Sequence, residues 1–471
     1  MSNSTSTAPG LLRVLGPWTA VAIVVGSVIG SGVFKKPQVI AQNIPSFEWI
    51  ITAWVLVGVI SLLGALAVAE LGAMLPQAGG NYVFLTKGYG RPWGFLWGWV
   101  EFWIMRSGSV AALAMIFSQS FFQAVNWQMG AAAEKVLAIG AILLLAFVNS
   151  VGVRYGGFVQ NLTTWVKVGS LILIALLPFM IGGAHPEYLQ RTGPEPRSGP
   201  FVGFIVALLG IFWAYKGWMD LSTLGEELRE PQRNVPRALF WGVLIVIAVY
   251  VAANVAYALV LPPTEIADET RVKVVAVSFA ERLFQPWGSE VARLAGAGIA
   301  AAIMVSALGA MNANTLFGPR TYYALGRDGL FPHWFGRVHD RFHTPITAIM
   351  AQALWASLLI LGADLLRDLE QEDPFDTLTN FVMFGAMLFE TMAIAAIFRL
   401  RHVAPDLPRP YRCWGYPWVP LVYVVTMLAV VMNVCYTQPV KSLYGLGFIA
   451  VGAFLYGFVI RRALPADIAP Q

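Results

Sequence analysis

The chain has 471 residues, of which 57% are hydrophobic and 12% are charged. Soluble domains carry about 25% charged residues, so this composition excludes a soluble protein and predicts an integral membrane protein surrounded by a lipid bilayer. The two cysteines, Cys413 and Cys435, exclude a disulfide framework. We interpret the net charge of +5 as loop lysine and arginine facing the cytoplasm, and expect no nucleic-acid partner.

Twelve apolar segments occupy most of the chain, and each has at least about the 20 residues that a membrane-spanning helix needs. They lie at 14–42, 46–75, 93–125, 134–153, 158–182, 200–228, 237–261, 288–320, 344–364, 374–400, 415–438 and 442–462. This pattern predicts an all-α integral membrane protein with twelve spans. The ends, 1–13 and 463–471, are predicted to be cytoplasmic tails, with 1–10 disordered, and we expect no cleavable signal sequence.

Loop charge predicts how the chain crosses the membrane. With both termini in the cytoplasm, most of the loop lysines and arginines lie on the cytoplasmic side, and several of the others lie in one long loop, 262–293. This bias predicts a multi-pass protein of the cytoplasmic (inner) membrane with both termini inside. It leaves Arg106, Lys167 and Lys216 within the membrane.

The first segment contains a glycine-rich stretch, 26–32, near mid-membrane depth. Glycine costs about 1 kcal/mol against alanine inside a helix, so this stretch favours a break. Exposed backbone is tolerated at that depth only beside a cavity or within protein. Amides at a break attract a carboxylate, and carbonyl groups attract an ammonium group. The alternative is a packing seam, because Gly26 and Gly30 form a small-xxx-small motif.

The sixth segment carries a second irregular stretch, 210–220, with a glycine near mid-depth between aromatic residues. Lys216 and Asp220 are spaced i,i+4. Either they neutralise each other, or Lys216 faces a cavity and meets an acidic group on a solute. Trp213 and Tyr215 either pack within the bundle or stack over a bound solute.

The two irregular stretches fall at matching depths, about 12–18 residues from the starts of their segments, which is the pattern of an inverted-repeat transporter with a midplane site. Packing glycines have no reason to recur at the same offset. We therefore predict two five-helix repeats, 14–182 and 200–400, followed by two further helices within 415–462.

Lys167 lies in the middle of the fifth segment, 158–182. A charge at the bilayer centre costs about 2.5–3.5 kcal/mol on insertion scales, so it needs a partner or a cavity. One functional interpretation is a tethered cation, whose ammonium group takes the place of a sodium ion. Another is a desolvated lysine that exchanges a proton. The alternative to both is snorkelling of the side chain to the interface.

Several motifs, in this order along the chain, resemble the amino acid–polyamine–organocation superfamily, and within it the L-type amino acid transporter branch. Each motif alone is weak, whereas the ordered set is strong. The motifs are GSVIGSGVF at 26–34, AELG at 69–72 with GGNY at 79–82, NLTTWVK at 161–167, FWAYKGW at 212–218, EE at 226–227 with PQRNVP at 231–236, and RDG at 327–329.

The resemblance implies a LeuT-like fold of five plus five inverted helices, with discontinuous first and sixth helices. It implies a sodium-independent secondary transporter of L-amino acids that works by alternating access, as an exchanger or with proton coupling. The amides of Ser31 and Gly32, with Gly30 nearby, would bind the substrate carboxylate, and backbone carbonyl groups would hold its ammonium group. The implied substrate-binding residues are Val28, Ile29, Gly30, Ser31, Gly32, Trp213, Ala214, Tyr215 and Lys216.

The resemblance also assigns Lys167 as the tethered cation that replaces sodium, with Ser306 as its neighbour, and Trp213 as a gating aromatic. The chain departs from the branch at Lys216, where a small or neutral residue is usual, and this points to acidic or small polar substrate side chains. The loop 126–134 lacks the cysteine that joins branch members to a glycoprotein subunit. We therefore expect no such partner, while the oligomeric state stays open.

A membrane enzyme is the main rival class. It would need clustered catalytic or metal-binding side chains, but the five histidines lie in predicted loops and form no HExxH motif. We expect no catalytic residues, no metal and no cofactor. Two more hypotheses are a transporter-like amino acid sensor and a polyamine or organocation carrier, the latter of which would need pocket carboxylates such as Glu101 and Asp220.

Overall fold

The computed structural model describes residues 11–127, 130–196, 199–270, 272, 274–370 and 374–460. The segment 1–10, predicted to be disordered, and the predicted tail 463–471 lie outside these residues. Within the described part of the chain, the secondary structure consists of helices joined by loops.

The helices follow one another with short connections. The first half of the chain forms α1 (Pro17–Val28), α2 (Gly32–Asn43), α3 (Phe47–Met74), α4 (Asn81–Tyr89), α5 (Arg91–Val100), α6 (Ser107–Ala124), α7 (Ala131–Val151) and α8 (Val153–Met180). The second half forms α9 (Pro200–Ala214), α10 (Pro231–Val260), α11 (Pro263–Ile266), α12 (Val275–Phe284), α13 (Ser289–Arg327), α14 (Ile346–Glu370), α15 (Pro374–Val403), α16 (Trp418–Thr437) and α17 (Pro439–Leu455).

Ten helical stretches of the described residues are long and apolar enough to cross a membrane. They are Pro17–Asn43, Phe47–Met74, Arg91–Ala124, Ala131–Val151, Val153–Met180, Pro200–Thr223, Pro231–Val260, Ser289–Arg327, Trp418–Thr437 and Pro439–Phe458. α14 adds a shorter apolar stretch, Ile346–Gly362. The predicted multi-pass membrane protein is therefore confirmed, whereas the count of twelve spans and the five-plus-five repeat stay predictions.

The first span is interrupted where the sequence is rich in glycine. α1 ends at Val28 and α2 begins at Gly32, so three residues leave the helix in mid-span. The packing interpretation also holds in part, because a Cβ atom on Gly26 would lie 2.1 Å from the Thr164 hydroxyl oxygen. Gly26 is thus a packing contact, and Gly30 belongs to the break.

The sixth span is interrupted as well, and its break touches the first one. α9 ends at Ala214, and a 3-10 helix begins at Trp218. Between them Gly217 has φ +117°, a conformation that favours glycine. A Cβ atom on Gly217 would lie 3.0 Å from the carbonyl oxygen of Ser27, and the Ser27 Oγ atom lies 3.1 Å from the carbonyl oxygen of Gly217.

The third span contains a π-helical turn, Glu101–Arg106, that the sequence analysis did not predict. Such single turns inside α-helices are frequent at functional sites. Here the turn brings two charged side chains together, because Nε and Nη2 of Arg106 lie 3.2 and 2.8 Å from Oε1 of Glu101.

Neighbouring helices enclose the first break on several sides. α10 packs along α3, and α13 packs along α6 and α8. α1 lies against α8, α10 and α13. The interrupted backbone is therefore surrounded by protein, which is the setting that irregular backbone needs within a membrane.

Candidate functional site

A cavity of about 90 Å³ lies between the two breaks. It is lined by residues of α1, α2, α9 and the two breaks, together with residues of the π-turn, α6, the 3-10 helix, α13 and α15. Six of the predicted substrate-binding residues line the cavity: Val28, Gly30, Gly32, Trp213, Ala214 and Lys216. The other three predicted residues, Ile29, Ser31 and Tyr215, are not among its lining residues.

Free backbone donors stand at the start of α2. The amides of Phe34 and Lys35 both donate to the carbonyl oxygen of Ser31, at 3.2 and 3.1 Å. The amides before them precede the hydrogen-bond ladder of the helix, and such groups attract anions. The Ser31 side chain is buried, and its hydroxyl makes no hydrogen bond within the described residues. This end of the cavity suits a carboxylate.

Backbone acceptors stand at the ends of α1 and α9. The hydroxyl of Tyr250 on α10 lies 3.0 Å from the carbonyl oxygens of both Val28 and Ala214. It therefore joins the two interrupted helices. A carbonyl oxygen has two lone pairs, so these groups keep capacity for a second donor such as an ammonium group. The amide of Lys216 lies 3.2 Å from the carbonyl oxygen of Trp213.

Lys167 reaches the first break from α8. Its Nζ atom donates to the carbonyl oxygens of Gly26 and Ile29, both at 2.7 Å, and its side chain is fully buried. This geometry excludes the snorkelling alternative. The Ser306 hydroxyl lies 2.8 Å from the carbonyl oxygen of Gly30 and 3.4 Å from that of Ile29. Lys167 and Ser306 thus meet at the same break, as neighbours on the side of Ile29.

The two aromatic residues at the second break differ in position. Tyr215 is buried in an aromatic cluster, with its ring centroid 6.0 Å from that of Trp54 and 5.1 Å from that of Tyr250. Trp213 lines the cavity, and the Lys36 ammonium group lies 5.3 Å from its ring centroid. Trp213 is the one placed to cover a solute.

Five ionisable side chains meet beside the cavity: Glu101, Arg106, Lys216, Asp220 and Glu390. Arg106 binds Asp220 through two parallel contacts of 2.8 and 2.7 Å, and its Nη1 atom lies 3.0 Å from Oδ1 of Asn314. Lys216 pairs instead with Glu390 on α15, with Nζ and Oε1 3.2 Å apart. The alternative in which Lys216 and Asp220 neutralise each other is therefore wrong, because Arg106 already binds both oxygens of Asp220.

Sequence reasoning found these residues unevenly. It identified Arg106 as a charge within the membrane but gave it no role, and it considered Glu101 and Asp220 only as pocket carboxylates. No sequence feature pointed to a role for Tyr250, because tyrosine is common in apolar helices. For Arg106 a signal did exist: two charges five residues apart in one span need a shared partner or each other.

The whole chain matches known proteins. The family model "Amino acid permease" matches residues 15–459. The chain is 32% identical over 460 residues to the serine/threonine exchanger SteT of Bacillus subtilis, covering 96% of this chain and 98% of that one. It is 30% identical to the b(0,+)-type amino acid transporter 1 of Mus musculus, covering 95% and 88%. It is 28% identical to the cystine/glutamate transporter of Homo sapiens, covering 91% and 81%.

These matches decide between the classes that the sequence analysis weighed. The family and the relatives are transporters, so the interpretation as a transporter and not an enzyme is confirmed. The resemblance to the L-type branch is confirmed too, since the relatives include transporters of that type. The chain belongs to the amino acid permease family.

Proposed function

We propose that this protein is a sodium-independent secondary transporter of L-amino acids, working by alternating access across the cytoplasmic membrane. The observation that carries the proposal is the cavity between the two breaks, which offers amides at the start of α2 and carbonyl groups at the ends of α1 and α9. An amino acid has a carboxylate and an ammonium group at a fixed separation. Free amides and carbonyl oxygens facing one cavity are the complement of that pair.

The contacts of Lys167 support the proposal of sodium independence. Its ammonium group binds two carbonyl oxygens at the first break, at 2.7 Å each. Carbonyl oxygens are also the ligands that a sodium ion would need in such a transporter. In this proposal the ammonium group of Lys167 takes the place of the ion, and the Ser306 hydroxyl contacts the same break.

In the proposed cycle, substrate binds between α1–α2 and α9, and Trp213 closes over it. The bundle that carries the breaks then rocks against a scaffold formed by the third, fourth, eighth and ninth spans. This cycle assumes twelve spans, a LeuT-like five-plus-five repeat and both termini in the cytoplasm. The loop 126–134 has no cysteine for a glycoprotein partner, so we propose that the chain works without one.

The substrate class is supported by the relatives. A serine/threonine exchanger and a cystine/glutamate transporter are both named for amino acids with polar or acidic side chains. Lys216, which lines the cavity, suits polar or acidic substrates of this kind. A polyamine carrier or a sensor is not favoured, because the similar proteins are named as amino acid transporters and exchangers.

The test is uptake of labelled L-amino acids into proteoliposomes, with and without unlabelled amino acid inside, and with and without sodium. We expect uptake of at least one small polar or acidic amino acid, unchanged when potassium replaces sodium. Uptake that requires sodium would contradict the role proposed for Lys167. Measurable binding without any uptake would identify a sensor. If the protein shows no binding and no uptake of any amino acid, the polyamine carrier becomes the hypothesis to test.

A further inference from the structure

Arg106 is fixed at the centre of a buried triad with Glu101 and Asp220. A guanidinium group has five N–H donors. Nε and one hydrogen of Nη2 face Glu101, the other hydrogen of Nη2 and one of Nη1 face Asp220, and the last faces Asn314. All five donors are engaged, so Arg106 has none left with which to bind substrate.

The triad holds one more carboxylate than it has cations. The side chains of Glu101, Arg106 and Asp220 are 0%, 7% and 14% exposed. The adjacent pair of Lys216 and Glu390 is balanced and contributes no further positive charge. An uncompensated charge within a membrane span is expensive, and a carboxylate in that position takes up a proton instead.

The geometry identifies Glu101 as the carboxylate that holds this proton. Both oxygens of Asp220 bind Arg106, whereas Glu101 uses only Oε1. Its Oε2 atom is buried and makes no hydrogen bond within the described residues, and the same holds for the hydroxyls of Thr321 and Tyr322 on α13. A Cβ atom on Gly318 of α13 would lie 2.7 Å from Cγ of Arg106 and 3.0 Å from the Tyr322 hydroxyl oxygen, so this hydroxyl lies beside the triad. A proton on Oε2 gives that buried oxygen a hydrogen to donate, and a hydroxyl group such as that of Tyr322 is able to accept it.

We propose that Glu101 binds a transported proton, which it holds while Arg106 is bound to Asp220 and releases when Asp220 moves away. This inference rests on the proposed function, because it needs the second break to move. Asp220 lies on the 3-10 helix that follows that break, whereas Glu101 and Arg106 share one π-turn. Without Asp220, Arg106 and Glu101 form a balanced pair that favours the ionised carboxylate.

In this mechanism, the position of the segment after the second break determines the proton affinity of Glu101. The titratable groups around Glu101 are Arg106 on its own turn, Asp220 on the 3-10 helix, which Arg106 joins to it, and Tyr322 on α13, which lies beside Arg106. Of these, only Asp220 belongs to the segment that follows a break. One proton would therefore accompany each cycle in which the triad opens on one side of the membrane and closes on the other.

The test follows proton movement directly. Proteoliposomes hold a pH-sensitive dye, with equal pH on both sides, and receive an amino acid that the uptake panel has identified as a substrate. The wild type is expected to acidify the interior during net uptake. Glu101→Gln keeps the shape of a neutral acid, so exchange of internal for external amino acid is expected to persist while acidification is lost. Glu281→Gln, which alters an exposed carboxyl on α12, serves as the control and is expected to acidify like the wild type.

The outcomes separate this inference from the proposed function. Exchange without acidification in the wild type overturns the proton site and leaves the transporter intact, whereas the absence of any exchange overturns the transporter. Acidification that persists in Glu101→Gln overturns the site and assigns the proton elsewhere. A second variant, Asp220→Asn, removes the excess charge and is expected to abolish the infrared band of the neutral carboxylic acid that the wild type shows. A band retained in full overturns the proposal.

Discussion

Buried charge is organised differently in two regions of this molecule. In one region, residues 14–15 and 226–229 lie together beside Arg320. We call this group of residues the closed end. Nε and Nη2 of Arg320 bind the two oxygens of Glu227 at 3.0 and 2.9 Å, and both side chains are fully buried. The amides of residues 14 and 15 donate to the carbonyl oxygen of Glu227, each at 3.0 Å.

Around the cavity, the pair of Lys216 and Glu390 is balanced, but the other buried groups are not matched one to one. Arg106 binds two carboxylates. The Lys167 ammonium group donates hydrogen bonds to neutral carbonyl oxygens and has no carboxylate partner within the described residues. The Ser31 hydroxyl makes no hydrogen bond within the described residues.

At the closed end, the pair of one guanidinium group and one carboxylate is balanced in charge and holds two segments together, although Nη1 of Arg320 is buried without a hydrogen-bond partner within the described residues. Buried groups without a matching charge can respond to a bound solute. The unmatched charges beside the cavity therefore distinguish the binding region from the closed end.

The largest effect is expected when the buried ion pair at the closed end loses its cation. Arg320→Ala leaves Glu227 buried without its cation, and we expect it to lower the free energy of unfolding by about 3–5 kcal/mol. Arg327→Ala is the matched control, because Arg327 pairs with Glu226 at 3.1 Å in an exposed position and should change stability by less than about 1 kcal/mol. Thermal unfolding in detergent compares the two variants. Equal shifts of the unfolding midpoint would show that the buried pair does not hold the closed end.

Lys167→Ala tests the cavity side. It removes the donor to the carbonyl oxygens of Gly26 and Ile29, and each buried acceptor left without a partner costs about 1–3 kcal/mol. We expect transport to fall at least about tenfold, most strongly in one direction, because the tethered charge stabilises one conformation of the break. Uptake and efflux are measured separately in oriented proteoliposomes. Ser306→Ala, which removes a neutral hydroxyl from the same break, should have the smaller effect, and unchanged flux of Lys167→Ala in both directions would remove the role assigned to it.

The contact between the two breaks is tested by adding a methyl group. A Cβ atom on Gly32 would lie 2.8 Å from Cβ and 2.9 Å from Cα of Ala214, so Gly32→Ala forces the two interrupted helices apart. Overpacking of this kind costs about 1–3 kcal/mol, and we expect substrate affinity to fall accordingly. Gly140→Ala on α7 is the control, since Gly140 does not line the cavity and a Cβ atom there would have no neighbour within 4 Å. Equal affinities for the two variants would place the substrate away from the breaks.

The sequence predicted those features that have a local signal. Glycines within an apolar run predicted the first break, and a lysine within an apolar run, Lys167, predicted a partner for itself. The structure supplies that partner as the carbonyl oxygens of Gly26 and Ile29. Both signals arise because the bilayer penalises exposed backbone and charge wherever they occur, so a single segment is sufficient to reveal them.

Features that depend on the pairing of distant segments were not predictable in this way. Arg106 and Asp220 are 114 residues apart, and the i,i+4 spacing of Lys216 and Asp220 suggested a pair that the fold does not make. The π-turn that joins Glu101 to Arg106 was missed because nothing in its composition distinguishes it from α-helix. Which opposite charges meet is decided by the packing of whole helices, and the local sequence does not contain that information.

The smallest expected effect belongs to Tyr250, whose hydroxyl joins the two breaks by contacting the carbonyl oxygens of Val28 and Ala214. Tyr250→Phe keeps the ring and removes one shared hydrogen bond, so we expect a loss of about 0.5–1.5 kcal/mol in substrate affinity, because the two interrupted ends are no longer tied together. Tyr257→Phe, on the same helix, is the matched control, since the Tyr257 hydroxyl is buried and makes no hydrogen bond within the described residues. Binding titrations on both variants measure the difference. If Tyr250→Phe binds as tightly as Tyr257→Phe, the hydroxyl only fills space, and the cavity keeps its shape through other contacts between the breaks, such as those of Gly32 with Ala214 and of Ser27 with Gly217.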